Sequence, residues 1–233
     1  MDKRKESKTN LLQTLRRGME TITLVADHPD GLSIAQLAEK LQVDRAIAYR
    51  LVATLEADSF VARAANGNVF LGGAILALAA NLEPQLRSFA EPLLHELAEE
   101  TRATAFLSVA RGRDAVAVLV AESSSGLIRV GYRVGSRHPL DLGAAGIAIL
   151  AGRPERPDDA DAVRQARRDG FSITRGQLQR GAVGIASPVL FSRQKHAALE
   201  ASIGVVALDD LDTETVAPRV IACAAQISRH LGG

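Results

Sequence analysis

The stretch SIAQLAEKLQVDRAIAYRLVATLEAD, residues 33–58, constrains the fold of this chain more than any other. Ser33 and Gln36 stand at the spacing of a capping box, which marks the start of a helix. A second helix follows after LQVD, with Asp44 as its predicted N-cap. Two short helices joined by so few residues form a helix-turn-helix, a pair that reads DNA in some proteins and only packs on a core in others.

Apolar residues recur at helical spacing in both helices and in the segment before them, so three helices are predicted. The positions are Leu11, Leu15, Met19, Ile22 and Ala26 in the first helix, Ile34, Leu37, Ala38 and Leu41 in the second, and Ile47, Leu51 and Leu55, expected to be buried, in the third. Asn66-Gly67 then lies between two β-prone runs, which is typical of a hairpin. This order of elements predicts a winged helix-turn-helix domain over residues 1–72, with a flexible tail over 1–9.

A linker helix is predicted over residues 73–84, followed by a second domain over residues 85–233. The apolar face of the linker, with Ile75, Leu78 and Leu82, exceeds what one small domain needs to cover. We therefore predict that the linker forms part of a dimer contact and transmits signals between the two domains.

The second domain alternates between strand-like and helix-like runs. Strands are predicted on both sides of RGRD, in LIRVGYRVGS, and in GFSIT, AVGIASPVLFS and LEASIGVVAL. Helices are predicted in AAGIAILAG, in DDADAVRQARRDG, and in a closing segment capped near Asp212. Helices that flank a mostly antiparallel sheet make an α+β fold.

The charge balance bears on which partners the chain can bind. Its 28 Lys and Arg face 27 Asp and Glu, and residues 1–72 alone hold ten basic and nine acidic residues, a net charge of +1. The net charge is too small to attract a polyanion over a distance. Any nucleic-acid contact must therefore be made by a few basic residues at specific positions. Non-specific affinity is then low, and specific binding needs two copies of the domain to engage together.

The predicted outward face of the third helix offers those contacts. With the apolar positions turned inward, Arg45 and Tyr49 share the outer face, and Ala46 and Arg50 lie beside them. Arg pairs with guanine or phosphate, and Tyr with phosphate or a thymine methyl group. Arg63 on the hairpin is placed to touch the DNA backbone or minor groove. The alternative interpretation is a solvated, Arg-bearing helix surface with no partner.

No catalytic or metal-binding pattern stands out in the sequence. The single Cys223 excludes an intrachain disulfide framework and a cysteine-based zinc site, and it is predicted to be a buried thiol. No two histidines have His-x-x-x-His spacing, and no nucleophile elbow, P-loop or dinucleotide fingerprint is present. His138 is predicted at a strand end facing a pocket. We expect no enzyme activity, no cofactor and no bound metal. Without a signal-peptide-like or membrane-spanning apolar run, we expect a cytoplasmic protein and no membrane partner.

Six stretches together resemble the IclR family of bacterial transcriptional regulators over nearly the whole chain. They are LVADHPDGLSIAQLAEKL, AYRLVATLEADSFVAR, FLGGAILALAANL, PLLHELAEETRATAFLSV, PLDLGAAGIAIL and GFSITRGQLQRGAVGIASPV. The resemblance implies a winged helix-turn-helix, a linker helix and a C-terminal GAF/PAS-like α/β domain that binds a small effector. It also implies homodimers, or dimers of dimers, on pseudo-palindromic double-stranded operators.

Carried over position by position, the resemblance places base contacts at Arg45, Ala46, Tyr49 and Arg50. It places the effector pocket at Ala144, Ala145, Thr174, Gln177, Gly184 and Ser202. Free backbone N–H groups at the start of the helix with Ala144 suit a polar or anionic ligand, and close helix packing is the alternative reason for small residues there.

Two features depart from the family pattern. Gln177 stands where the family usually has Glu, and it would offer a neutral amide instead of a carboxylate. The segment 152–170 is shorter than expected, with one helix instead of about two.

We therefore predict a sequence-specific DNA-binding transcriptional regulator, a repressor in preference to an activator. Its small-molecule effector alters its binding to the operator. Two alternatives remain open. In one, the second domain is an enzyme that processes a small molecule, with the helix-turn-helix as a localisation module. In the other, the winged helix binds a protein instead of DNA.

Overall fold

The computed structural model of this chain describes residues 11–124, 131–190, 200–208 and 211–230. The chain divides into two compact units, Met1–Leu82 and Glu83–Gly233. The predicted tail over residues 1–9 lies outside the described residues.

The first unit has the predicted order of three helices, a hairpin and a further helix. Its elements are α1 (Gln13–Ala26), α2 (Ile34–Leu41), α3 (Arg45–Ala57), β1 (Val61–Arg63), β2 (Val69–Leu71) and α4 (Gly73–Ala80). β1 and β2 pair antiparallel, and Leu32 bridges to Val69 beside them. The predicted winged helix-turn-helix is confirmed.

Local signals fix the ends of α2 and α3. The backbone N–H of Ser33 donates to Oε1 of Gln36 at 2.9 Å, and the Gln36 N–H donates to Oγ of Ser33 at 3.3 Å. The capping box is therefore formed as predicted. Asp44 occupies the N-cap position of α3, but its side chain makes no capping hydrogen bond. The predicted Asp44 cap is wrong in that respect.

The core of the first unit gathers one side chain from each of α1, α2, α3, β1 and β2, and Leu32 from the loop before α2. It consists of Val25, Leu32, Leu37, Val52, Val61 and Val69. In α3 the buried residues are Ala48, Leu51 and Val52, whereas Ile47 and Leu55 are only partly buried. The inward face is thus rotated from the predicted one, because the small Ala48 allows close packing that a count of large apolar residues overlooks.

The apolar stripe of α1 does not face this core. Leu15 and Met19 are 63% and 59% exposed, while Gly18, Thr21 and Val25 are buried. Helical spacing correctly placed Leu15 and Met19 on one face of a helix. Their exposure shows that the chain itself does not cover this face.

In its described residues, the second unit contains two long helices, two short ones and six strands. They are α5 (Leu82–Thr101), β3 (Thr104–Arg111), β4 (Asp114–Ala121), β5 (Arg137–Pro139), α6 (Ala144–Gly152), α7 (Asp161–Asp169), β6 (Ser172–Arg175), β7 (Ala182–Val189), β8 (Ala201–Leu208) and α8 (Thr213–His230). The strands form one antiparallel sheet in the order β5-β4-β3-β8-β7-β6. The predicted α+β class is confirmed. Of the strands predicted in LIRVGYRVGS, residues 127–130 lie outside the description, and residues 131–136 form no strand.

One face of the sheet carries α6. Along β8, Ser202, Gly204 and Val206 share this face because side chains alternate on a strand. Two hydroxyl groups fasten the first turn of α6 to the sheet. Oγ of Ser172 donates to the carbonyl oxygen of Ala144 at 2.6 Å, and Oγ of Ser202 donates to that of Ala145 at 3.0 Å.

The two long helices lie side by side. Phe89 of α5 stacks on His230 of α8 with ring centroids 3.5 Å apart, and α8 packs on β7 and β8. Asp212 caps α8 as predicted, since Oδ1 accepts from the N–H groups of Glu214 and Thr215. Among the described residues, no helix is long and apolar enough to cross a membrane.

Candidate functional site

The N-terminal half of α3 presents the predicted contact residues to solvent. Arg45, Ala46, Tyr49 and Arg50 are all exposed, with 53% of Tyr49 accessible. The structure therefore brings these four positions together on one outward surface. In a helix-turn-helix this is the part of the second helix that enters the major groove.

Arg63 is held differently from the other predicted contacts. Its Nε lies 3.1 Å from Oε2 of Glu56, and its Cζ lies 4.7 Å from the centre of the Tyr49 ring. A cation placed over an aromatic face is attracted to the ring, and the carboxylate offsets much of its charge. Arg63 thus ties the hairpin to α3 and does not project freely from it.

Replacing Glu56 with Gln is expected to tighten DNA binding. The change removes a carboxylate from the DNA-facing side and frees Arg63 for a phosphate, so affinity should rise about three- to tenfold in low salt. The plot of log affinity against log salt should steepen by roughly one unit. Fluorescence anisotropy with DNA selected by the protein from a random library measures both quantities.

Glu20→Gln on α1 is the matched control for this change, because it alters the charge equally without touching Arg63. Weaker binding by the Glu56→Gln protein would contradict the prediction. It would show that the ion pair is needed to position Tyr49.

In the second unit, a cavity of about 260 Å³ opens beside the start of α6. Its wall includes five of the six predicted effector residues: Ala144, Ala145, Thr174, Gln177 and Gly184. The sixth, Ser202, does not line it. Ser202 is fully buried under the first turn of α6, where its hydroxyl group holds the carbonyl oxygen of Ala145.

Gln177 reaches the start of α6 from the loop between β6 and β7. Its Oε1 accepts a hydrogen bond from the backbone N–H of Gly143 at 3.0 Å. The first N–H groups of a helix have no partner within the helix, so this bond satisfies one of them. The neutral amide adds no negative charge at this end of α6, which leaves the helix dipole favourable for an anion.

Aromatic side chains form a second part of the wall, and the sequence analysis missed them. Phe106 and Tyr132 lie with ring centroids 5.0 Å apart at a tilt of 56°. The Tyr132 hydroxyl is 3.3 Å from Oγ of Ser108, and burial raises the pKa of this phenol. The composition could have drawn attention to Tyr132, because the chain has only two tyrosines and the other one is Tyr49 on α3.

His138 also belongs to the wall. It lies on the edge strand β5, as predicted from the sequence, and is buried. None of the described residues that line the cavity is acidic. Arg137 is a basic neighbour, with its guanidinium group 2.8 Å from Oδ2 of Asp114. These groups suit the binding of a small, partly apolar anion.

The one thiol of the chain is not placed for chemistry. Burial, and then the carboxylates of Glu96 and Glu100, raises the pKa of Cys223 to about 12, so a reactive thiolate is not formed at neutral pH. In the described part of the chain, no group of three or more His, Cys, Asp or Glu side chains could hold a metal ion.

An exposed recognition helix with a wing in one unit, and a ligand-sized cavity in the other, define the class of DNA-binding transcriptional regulators. Comparison with known proteins gives the family. Residues 14–65 match the IclR helix-turn-helix domain, and residues 80–160 match the C-terminal domain of IclR-type bacterial transcriptional regulators. The chain belongs to the IclR family.

Individual relatives agree with this assignment. The chain is 24% identical to the HTH-type transcriptional regulator KipR of Bacillus subtilis over 96% of its own length and 98% of that protein. It is 24% identical to the transcriptional repressor IclR of Escherichia coli over 61% of its length and 54% of that protein. A crystal structure of an IclR homolog from Microbacterium hydrocarbonoxydans, complexed with 4-hydroxybenzoate, is similar in fold. That comparison gives a TM-score of 0.55 and 18% identity, and covers 94% of this chain and 97% of the other.

Proposed function

We propose that this regulator is a cytoplasmic repressor that binds a pseudo-palindromic operator as a homodimer or dimer of dimers. A small organic acid in the cavity of the second unit alters its affinity for the operator. The observation that carries this proposal is the cavity itself. It lies at the start of α6, is lined by aromatic and neutral polar groups, and belongs to a chain whose other unit exposes a recognition helix.

The DNA-binding part of the proposal depends on α3. Arg45 and Arg50 can pair with guanine or phosphate, and Tyr49 is held in place by Arg63 from the hairpin. The first 72 residues carry a net charge of only +1. Two linked copies that bind two half-sites therefore reach an affinity for DNA that one copy lacks. The reason is that, once the first copy is bound, binding of the second is effectively intramolecular.

Uncovered apolar side chains support self-association of the first unit. Leu12, the N-cap residue of α1, and Met19 within α1 are 74% and 59% exposed, and Leu76 and Leu78 on α4 are 76% and 60% exposed. Clusters of this kind on a protein surface mark interaction sites. A second copy of the same unit offers the same apolar surface, as a twofold interface requires.

Replacing Leu78 with Asp is expected to weaken the dimer, because a carboxylate would have to be buried unpaired in an apolar contact. We expect the dissociation constant to rise at least about tenfold, an effect of about 1.4 kcal/mol. Sedimentation velocity over a range of concentrations measures it.

Ala77→Asp is the control for the Leu78 change, since it places the same charge on the same exposed helix but away from the face of Ile75 and Leu78. Equal dimer stability in the wild-type and Leu78→Asp proteins would show that α4 lies outside the interface.

The effector part of the proposal depends on the chemistry of the cavity. Its wall has no acidic side chain among the described residues and borders the N-terminal end of α6, which favours a carboxylate. The related protein complexed with 4-hydroxybenzoate also holds an organic acid. To act as an effector, the acid must bind more tightly in one arrangement of the DNA-binding units than in another.

The proposal is tested by selecting DNA from a random library with the full chain and then titrating organic acids into the complex. We expect an enriched site with two related halves, salt-dependent binding, and a change in affinity when an acid occupies the cavity. Failure to enrich any DNA would favour the protein-binding alternative. Conversion of a bound acid to a product would favour the enzyme alternative.

A further inference from the structure

One polar atom in the cavity wall has no partner. His138 is only 6% exposed, and its Nε2 makes no hydrogen bond with any residue that the structure describes. Buried polar atoms are nearly always hydrogen-bonded, because an unpaired one forfeits its hydration without compensation. An unpaired nitrogen in the wall of a ligand-sized cavity indicates a partner that arrives with the ligand.

The other ring nitrogen determines what Nε2 can offer. Nδ1 of His138 lies 3.0 Å from the carbonyl oxygen of Pro139. A carbonyl oxygen only accepts hydrogen bonds, so Nδ1 carries the hydrogen, and in the neutral ring Nε2 presents a lone pair. No described lining residue is acidic, so no carboxylate in the described wall pairs with Nε2. Nε2 of His138 can therefore accept a hydrogen bond from a donor on the ligand, such as a hydroxyl group.

Nε2 of His138, the hydrogen-bond acceptor, lies close to the backbone N–H donors at the start of α6. A Cβ built on Gly143, the residue before α6, would lie 3.3 Å from Cε1 of the His138 ring. The edge of the imidazole thus borders the start of α6, where Ala144 and Ala145 line the cavity and the first N–H groups of the helix favour an anion. Donors for a carboxylate and an acceptor for a hydroxyl group are adjacent in the wall.

Leu178 partly covers this corner. Its Cδ1 would lie 2.6 Å from a Cβ on Gly143, so it packs directly against that backbone beside His138. Leu178 lies between β6 and β7 and is 47% exposed. An arriving ligand can displace such a side chain at moderate cost, because nearly half of its surface is already exposed to solvent.

We infer that His138 makes the cavity selective for 2-hydroxy carboxylic acids. The carboxylate binds at the start of α6, and the hydroxyl group on the neighbouring carbon donates to Nε2 of His138. The inference rests on the proposed effector role of the cavity and names the chemical class of the effector. Phe106 and Tyr132 provide an apolar wall for the rest of the acid.

Two matched series of acids test the inference on the wild-type protein by isothermal titration calorimetry. The first is mandelate, phenylglyoxylate and phenylacetate, and the second is lactate, pyruvate and propionate. Within each series the group on the second carbon is a hydroxyl, a ketone or a methylene. We expect the hydroxy acid to bind at least about tenfold more tightly than both partners in one series or the other, because only it gives Nε2 a donor.

The ketone distinguishes the two protonation states of the ring. A ketone oxygen faces the Nε2 lone pair unfavourably, whereas it would accept a hydrogen bond from an imidazolium. Equal or tighter binding of the keto acids in both series would overturn the inference. So would the absence of any binding by both mandelate and lactate.

Two variants assign the preference to His138. In His138→Leu, the preferred hydroxy acid should lose its advantage and bind within about twofold of the methylene acid, whose own affinity is retained. His138→Gln keeps an acceptor on the side chain and should retain part of the preference. A His138→Leu protein that binds the methylene acid as before and still prefers the hydroxy acid would overturn the assignment.

These experiments distinguish a failure of this inference from a failure of the proposed function. Loss of the hydroxy preference in a protein that binds selected DNA and responds to other acids would overturn the inference alone. A clear hydroxy preference in a protein that binds no selected DNA would overturn the regulatory role and leave the inference standing.

Discussion

Replacing Arg45 and Arg50 together with Ala is expected to abolish specific DNA binding. Both side chains are exposed on the part of α3 that a helix-turn-helix inserts into the major groove. A bidentate Arg–guanine pair contributes about 1–3 kcal/mol of discrimination, so losing two such contacts should weaken binding at least about thirtyfold. Fluorescence anisotropy with the selected DNA at fixed salt measures the change.

The double variant Arg113→Ala and Arg133→Ala removes the same two charges from exposed positions in the second unit. It should bind DNA within about twofold of the wild type, since neither residue belongs to the recognition helix α3 or to the hairpin. If the α3 double variant also binds within a few fold of the wild type, another surface reads the operator. Loss of affinity for DNA of every sequence alike would show that the two arginines only neutralise phosphates.

The helix-turn-helix was predictable because its signals are local. The capping box of Ser33 and Gln36 fixes the start of α2, and Asn66-Gly67 lies in the turn between β1 and β2, with Gly67 at a φ of +82°. Periodicity told which residues of α1 share a face, but not which face is buried. The stripe with Leu15 and Met19 is exposed in the single chain, since helical spacing alone does not distinguish a face turned to the core from one left on the surface.

The cavity was predictable only in part, because its walls come from distant parts of the chain. The small residues of AAGIAILAG indicated α6, and five of the six candidate residues surround the cavity at its start. Ser202 was predicted from the resemblance to complete the pocket, but α6 covers it, and the cavity instead reaches Val206 further along β8. The strand order that pairs Phe106 with Gly204, two residues before Val206, depends on pairings between remote segments, which no local pattern encodes.

Replacing Gly204 with Ala is expected to destabilise the second unit severely. A Cβ at this position would lie 2.2 Å from the carbonyl oxygen of Ile185 and 2.7 Å from Cζ of Phe106. Because the carbonyl belongs to the paired strand β7, relief requires β7 and β8 to move apart. We expect the free energy of unfolding to fall by about 3 kcal/mol or more. That lowers the melting temperature by roughly 6–12 °C for a unit of this size, as measured by calorimetry.

Gly184→Ala is the matched control on the neighbouring strand, and it separates packing from ligand binding. Its Cβ would lie 3.3 Å from that of Ala144 and 3.5 Å from Oγ1 of Thr174, so small shifts accommodate it. The melting temperature should change by no more than about 2–4 °C, the equivalent of about 1 kcal/mol. Because Gly184 lines the cavity, the new methyl group should still reduce the affinity for organic acids. A Gly204→Ala protein as stable as Gly184→Ala would show that β7 and β8 tolerate separation here, and that the close contacts with the Ile185 carbonyl and Phe106 are not what keeps this position a glycine.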